Sequence, residues 1–321
     1  MNILIVGGAG YIGSHIVLYA LERGYRITIF DDLSTGRKRN INDEVIFFQG
    51  TTLSTSDLSK LFKNNYYDAV IHLAASKAAG ESMSHPSYYA TNNIIGSINL
   101  INFCTKYRTK SFIFSSSAAV YGTPQYTPID ESHPLMPSNY YGNTKLMIEN
   151  NLMWFSKLKG MKYAALRYFN AAGYDLKKRV SGLEKKPQNL IPIVMEAAIG
   201  ERGKVDIFGN DYSTKDGTGI RDYIHVMDLA IAHLDAIDFI EREDKNLILN
   251  LGTGAGHSVL DVISKVQEIS NKSIDYVFKD RRDGDSDIVM ANSELAKKLM
   301  SWEARYSDLD TIIKSTWSVY K

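Results

Sequence analysis

Tyr141 and Lys145 stand four residues apart in the run Tyr141-Gly142-Asn143-Thr144-Lys145. On a helix, residues i and i+4 share one face. An ammonium beside a phenol favours the phenolate and lowers the tyrosine pKa. A tyrosine tuned in this way takes the proton of an alcohol while hydride leaves the same carbon. Such pairs also arise as ordinary helical neighbours. What singles this one out is the preceding apolar run, which ends in Ser115-Ser116-Ser117. Ser117 is the candidate to hydrogen-bond the reacting oxygen, although serines after strands also fill plain loops.

Hydride needs an acceptor, and the chain opens on a motif that suits one. Gly7-Gly8-Ala9-Gly10-Tyr11-Ile12-Gly13 lies between an apolar run and an amphipathic stretch. Gly7 permits a tight turn, Gly10 lets backbone approach a pyrophosphate, and Gly13 lets helix and strand pack closely. The free N–H groups of the helix N-terminus then face the phosphates. Asp31 ends the next apolar run. A carboxylate there accepts from ribose hydroxyls and repels a 2′-phosphate, which favours NAD over NADP. Arg37-Lys38-Arg39 follows closely. It reads as a solvated loop, and it keeps NADP open as the alternative.

These residues need a scaffold that brings them to one edge. Apolar runs at residues 2–6, 26–30, 45–48, 69–73, 112–115 and 163–168 predict six strands. Helical spacing at 11–23, 58–63, 92–107 and 141–157 falls between most of them. Alternating strands and helices imply an α/β fold, a Rossmann-type doubly wound parallel sheet with helices on both faces. Ligands bind such a sheet beyond the carboxyl ends of its strands. The pattern loosens after residue 172. A charged loop at 175–187, turns near 209–211 and 216–217, and helices at 191–199, 260–270 and 309–320 predict a smaller mixed α+β unit. The expected division is residues 1–172 for the cofactor and 173–321 for the substrate, with some segments crossing back.

Composition excludes several classes. The 321 residues are 44% hydrophobic and 23% charged, which is ordinary for a globular chain and rules out disordered and collagen-like proteins. A net charge of +1 argues against a nucleic-acid binder, and no aromatic–basic interleaving suggests base stacking. No apolar run reaches membrane-spanning length, and the N-terminal run reads as a strand rather than a signal peptide. The seven histidines are dispersed without ligand spacing, so no metal site is expected. The single cysteine, Cys104, excludes an internal disulfide and fits a reducing compartment. The expectation is a cytoplasmic protein.

Taken together these residues resemble the extended short-chain dehydrogenase/reductase superfamily, and within it the UDP-hexose 4-epimerases. Similar segments span nearly the whole chain. They include the glycine turn, Ser76-Lys77-Ala78-Ala79-Gly80-Glu81-Ser82, Leu166-Arg167-Tyr168-Phe169-Asn170, Asn189-Leu190, Phe208-Gly209-Asn210-Asp211-Tyr212, and Arg281-Arg282-Asp283-Gly284-Asp285. The longest, from Asp216 to Val226 around Arg221, is the most specific to sugar-nucleotide epimerases. The resemblance implies transient oxidation of a UDP-sugar at C4 by bound NAD, turning of the 4-keto sugar, and return of hydride to its other face. It implies that Tyr11, Ile12, Lys77, Asn92, Ser115 and Tyr168 join the glycines, Asp31, Tyr141 and Lys145 around NAD. It implies that Ser117, Tyr141, Phe169, Asn170, Asn189, Leu190, Phe208, Arg221, Arg282, Asp285 and Val289 hold the UDP-sugar. It further implies a homodimer paired through the helices predicted at 92–107 and 141–157.

The chain also departs from the family pattern. The usual Gly-Asp after the third strand is Gly50-Thr51 here, which removes a carboxylate from the adenine site. Asp57 lies further on and reads as a helix-capping residue. Val289 replaces a bulky tyrosine of the glucose-type bacterial enzymes. The space it leaves would admit an N-acetyl group, extending the substrates to UDP-GlcNAc and UDP-GalNAc. Two other readings fit the residues less well. A 4,6-dehydratase or decarboxylase needs an acid directly after the serine, and Ala118-Ala119 cannot move a proton. A non-catalytic NAD-sensing protein would tend to lose the Tyr141–Lys145 pair, which is present.

Overall fold

The computed structural model describes residues 1–184, 187–282 and 284–321. Among the described residues, seven strands form one parallel sheet: β1 (Asn2–Val6), β2 (Arg26–Asp31), β3 (Ile46–Gln49), β4 (Ala69–His72), β5 (Ser111–Ser117), β6 (Lys162–Tyr168) and, from later in the chain, β10 (Leu247–Leu251). Their spatial order is β10-β6-β5-β4-β1-β2-β3. The chain reverses direction across the sheet between β1 and β4, and a crevice opens at that point. This is the Rossmann-type α/β fold that the sequence pattern predicts.

Both faces of the sheet are buried, and alternate residues sort to opposite sides. Ile3 and Ile5 of β1 pack with α1 (Tyr11–Glu22) and α8 (Val226–Glu243). Leu4 and Val6 pack with α2 (Thr55–Lys63), α5 (Gly96–Lys106) and α6 (Tyr140–Lys159). Each such aliphatic side chain contributes about 1.5–3 kcal/mol by leaving water. Arg23, just past α1, ties the two helices of the first face together through Asp235 (2.5 Å) and Asp238 (2.9 Å) of α8. The short helices α3 (Ala79–Ser84) and α4 (Pro86–Tyr89) run into a π-helical turn at Ala90–Ile95 and then α5, so the helix predicted at 92–107 is interrupted at its start.

The remaining elements form a mixed unit at the carboxyl edge of the sheet. There β9 (Ile220–His225) is flanked by β7 (Asn170–Ala172), β11 (Gly256–Ser258) and β13 (Ile288–Val289), while β8 (Val205–Phe208) pairs with β12 (Tyr276–Lys279). A separate core of Ile191, Val194, Val262, Val266, Ile312 and Ile313 joins α7 (Leu190–Ala198), α9 (Val259–Ser270) and α11 (Leu309–Tyr320). The remaining helix, α10 (Glu294–Met300), packs near β10 and α8. Residues 226–251, for which the sequence pattern predicts neither helix nor strand, return to the large sheet as α8 and β10.

Candidate active site

The glycine turn fits a diphosphate. Gly10 is the N-cap of α1 and offers no side-chain cap, and the first turn carries no acidic residue. The N–H groups of Tyr11, Ile12 and Gly13 therefore have no acceptor inside the helix and carry the positive end of its dipole. Gly7 adopts φ 88°, and a Cβ there would meet the Ala74 nitrogen at 2.8 Å. A Cβ on Gly13 would lie 2.2 Å from the Gly7 oxygen, so helix and turn touch only because both are glycine. Asp31 closes β2 at this edge and accepts from the N–H of Ala9 (3.0 Å) and of Leu33 (2.8 Å). Burial holds its carboxyl above the ordinary carboxylate value, and these donors oppose the rise.

Thr51 follows β3, and the structure brings Asp57 beside it: the Thr51 N–H points to Asp57 Oδ2 at 3.4 Å. Asp57 also takes part in the first turn of α2, where its own N–H donates to the N-cap hydroxyl of Ser54 (3.1 Å). A carboxylate thus stands near the position where the sequence lacks one. Arg37 is not simply solvated. Its Nε donates to the Leu183 carbonyl at 2.9 Å.

That contact belongs to a strap. The Gly182 N–H donates to Asn40 Oδ1 (2.8 Å) on one side, and Lys77 pairs with Glu184 on the other. Val180 packs with Leu18 and Tyr174, with Tyr11 and Leu183 at the margin. Residues 180–184 therefore run from the 3-10 turn at Lys38–Asn40 to the loop after β4, beside Tyr11 at the start of α1. Lys77, implied as a cofactor ligand, is engaged here by Glu184. Asn92 donates to Ser76 Oγ (3.1 Å). Its neighbour Asn93, which the sequence reading passed over, is the buried one of the two. Asn93 Oδ1 accepts from the Ser76 N–H (2.8 Å), and its amide donates to the Ser76 carbonyl (3.0 Å) and Thr144 Oγ1 (3.2 Å). It pins the loop after β4 to α6.

Ser117 ends β5 and caps the short 3-10 turn that follows, accepting from the Ala119 N–H at 3.2 Å. Helix α6 starts directly against that turn. A Cβ on Gly142 would lie 2.3 Å from the Ala119 oxygen, so glycine is what lets Tyr141 come up to Ser117. Asn139 caps α6 by accepting from the Gly142 N–H (2.9 Å), and the Tyr141 N–H donates to Ser82 Oγ (3.0 Å). Lys145 Nζ donates to the Ser115 carbonyl at 2.7 Å and lies 5.7 Å from the Tyr141 ring centre and 4.7 Å from that of Phe114. Tyr168, at the end of β6, is half-buried near Tyr141, and loss of hydration is the chief cause that raises its phenol pKa well above the ordinary value.

The electrostatics differ from the sequence expectation. Burial pushes the Tyr141 phenol up to about 12, and the nearby Ser117 hydroxyl opposes the rise. Burial also pulls the Lys145 ammonium down to about 7, opposed by the Glu149 carboxylate. Loss of hydration dominates both groups. The ammonium is directed to a main-chain carbonyl, so its expected lowering of the phenol is not the ruling effect here.

The candidate sugar-nucleotide residues form two clusters. Arg221 donates to Asp285 Oδ1 (3.3 Å), and Val289 of β13 lies in register with Arg221 of β9. Arg282 stacks on Phe208, its guanidinium carbon 3.8 Å from the ring centre. Asn170 donates to the Asp222 carbonyl (3.1 Å) at the start of β7. Asn189 stands at the N-cap of α7 without capping it, one residue before the half-buried Leu190. An apolar cluster of Val120, Tyr121, Ile129, Phe169 and Ala291, with Val289 packed on it, links the β13 side to the turn after Ser117. The loop at Gly284 approaches Ser138, just before α6.

A dinucleotide-type turn on a doubly wound sheet, beside a paired serine and tyrosine with a lysine on the same helix, defines an enzyme class that moves hydride to and from an alcohol carbon. The chain belongs to the NAD dependent epimerase/dehydratase family, which matches residues 3–252. It is 42% identical to the UDP-glucose 4-epimerase of Halalkalibacterium halodurans, over 100% of this chain and 96% of that one. The crystal structure of UDP-glucose 4-epimerase from Brucella ovis in complex with NAD superposes with a TM-score of 0.96 at 39% identity, covering 99% of this chain and 98% of that one. The UDP-Glc/GlcNAc 4-epimerase from Campylobacter jejuni superposes with a TM-score of 0.88, also at 39% identity, covering 99% and 98% of the two chains.

Proposed function

We infer that this protein is an NAD-dependent UDP-hexose 4-epimerase that interconverts UDP-glucose and UDP-galactose. The observation that carries the reading is the meeting of Ser117, Tyr141 and Lys145 at the carboxyl edge of the sheet that bears the glycine turn. NAD, when bound, supplies the hydride acceptor at C4. Tyr141 takes the proton of the 4-hydroxyl and returns it after the sugar has turned. Ser117 holds the 4-oxygen by hydrogen bonding. Lys145 fixes the coenzyme side of the site. The turn at Gly7, Gly10 and Gly13 holds the coenzyme diphosphate, and Asp31 takes the adenosine ribose. Arg221 and Arg282 suit the UDP diphosphate, because guanidinium groups offer several planar donors. Phe169, Asn170, Asn189, Leu190, Phe208 and Asp285 complete that side.

The substrate range extends to the N-acetylated pair, UDP-GlcNAc and UDP-GalNAc. Val289 is a small side chain at the wall formed by Phe169 and Ala291, and a pocket discriminates by such steric fit. Residues 1–172 with the returning segment 226–251 serve the coenzyme, and the rest of the chain after 172 serves the UDP-sugar. The partner is a second copy of the chain. Met147, Trp154 and Leu158 are exposed along one stripe of α6, and Ile95 is exposed at the start of the neighbouring α5. Among the described residues no helix is long and apolar enough to cross a membrane. A cytoplasmic setting accords with the single, buried Cys104.

Product analysis of the purified protein with UDP-galactose and, separately, UDP-GalNAc, without added cofactor, tests this. Both are expected to epimerise. Turnover of UDP-galactose alone would remove the N-acetyl extension. No reaction of either, even with NAD supplied, would overturn the assignment.

A further inference from the structure

A buried charged network lies under the candidate active site, and the roles given above do not use it. Glu149 sits one helical turn beyond Lys145 on α6 and is almost fully buried. Arg167 of β6 grips it with both arms: Nε to Oε1 at 3.0 Å and Nη2 to Oε2 at 2.6 Å. The Ser116 hydroxyl donates to Oε1 at 2.5 Å. Arg167 Nη1 donates to the Tyr121 hydroxyl at 3.0 Å, which donates in turn to Asn250 Oδ1 of β10 at 2.7 Å. One carboxylate therefore joins the helix that carries Tyr141 and Lys145 to strand β5 next to Ser117, and to the strand that ends in Tyr168.

An ion pair inside a core is a poor source of stability, since desolvation offsets most of its attraction. Its position here serves a different end. We propose that Glu149, gripped by Arg167, is a positioning residue of the reaction. It supplies the fixed negative charge beneath Lys145 and sets the rotation of α6 that brings Tyr141 to Ser117. The inference rests on the epimerase reading.

The surroundings of Lys145 give the charge its direction. Tyr141 and Glu149 flank it on α6. His72 faces it from β4 and is held neutral by burial, its pKa brought down to about 3. The Ser115 carbonyl faces it from β5, and the Ser115 hydroxyl bonds His233 of α8, which burial also holds neutral. Arg167 approaches from β6 with its charge matched by Glu149. Glu149 is thus the one negative group among these neighbours, and it favours the charged lysine against burial. Removing it must move the loss of the lysine proton to lower pH.

Glu149→Gln alone would strand a buried guanidinium, so the test is the double variant Glu149→Gln/Arg167→Met, which removes both charges together. The pH profile of kcat for UDP-galactose is compared with that of the native enzyme. Glu149, and not Arg167, acts on Lys145, so removing the pair is expected to displace the alkaline limb to lower pH by about one unit. A lower kcat with the limb unmoved means a structural role only and overturns the proposal. If the double variant does not fold, Glu149→Asp keeps the charge but draws it back. There kcat is expected to fall about tenfold with KM and the limb in place, and an unchanged kcat overturns the proposal. An inactive native enzyme would instead remove the epimerase reading.

Discussion

Tyr141 and Lys145 carry opposite shifts with one cause: each loses hydration in the folded chain, and that disfavours the charged form of either. The phenol is therefore a poor base until charge and hydrogen bonds around it favour the phenolate, and Ser117 already acts in that direction. Tyr141→Phe keeps the ring and removes the proton carrier. Turnover is expected to fall by roughly 10²–10⁴-fold, with circular dichroism and NAD content unchanged. Near-native turnover in that variant would exclude Tyr141 as the proton carrier. The sequence makes Tyr141, Lys145 and the glycine turn legible, because their roles depend on spacing within one element. Asn93, Glu149 and Glu184 are not legible in the same way. Each acts through a partner at a distance: Ser76 and Thr144, Arg167 in the next strand, and Lys77 across the β1 turn. A reader of spacing alone meets Glu149 four residues after Lys145, but nothing in the string says that Arg167 is waiting for it.

Most elements follow from the apolar pattern, and the six strands of the first half fall on continuous apolar runs, as a sheet covered on both faces demands. Helix α8 does not, for an instructive reason. Asp228 and His233 interrupt its apolar pattern, yet both are fully buried. Asp228 accepts from the N–H groups of Arg305 and Tyr306 (each 2.9 Å) and the Ser307 hydroxyl (2.6 Å), while His233 bonds Ser115 (2.8 Å). Tertiary partners satisfy polar groups that a sequence pattern assigns to solvent. Helix α6 presents the converse case. Its inner face is packed, but Met147, Trp154 and Leu158 leave an apolar stripe exposed, which the proposed second copy of the chain would cover. Trp154→Glu puts a charge at its centre. Light scattering is expected to show dimer in the parent chain and monomer in the variant at micromolar concentration. A parent chain that is already monomeric would dismiss the pairing.

For the molecule as a whole, four histidines set the acid limit. Burial brings His15 and His233 down to about 4, and His72 and His225 to about 3. In the unfolded chain each takes up its proton near pH 6.5. As pH falls from 6.5 towards 4 the unfolded state thus binds protons that the folded state refuses. Each histidine then costs roughly 1.4 kcal/mol of stability per pH unit. The thermal midpoint is expected to drop steeply from pH 7 to pH 5, and a flat profile over that window would show that these rings are not held neutral. The segment that crosses from Asn40 to Lys77 has a consequence in time. The strap at residues 180–184 is fastened by Asn40 at one end and by the Lys77–Glu184 pair at the other, beside the helix start proposed to hold the coenzyme. A small molecule beneath a fastened strap leaves only as often as the fastening opens. With the coenzyme bound as proposed, an enzyme so fastened would carry it from one turnover to the next and leave passing changes in the surrounding nicotinamide pool unread.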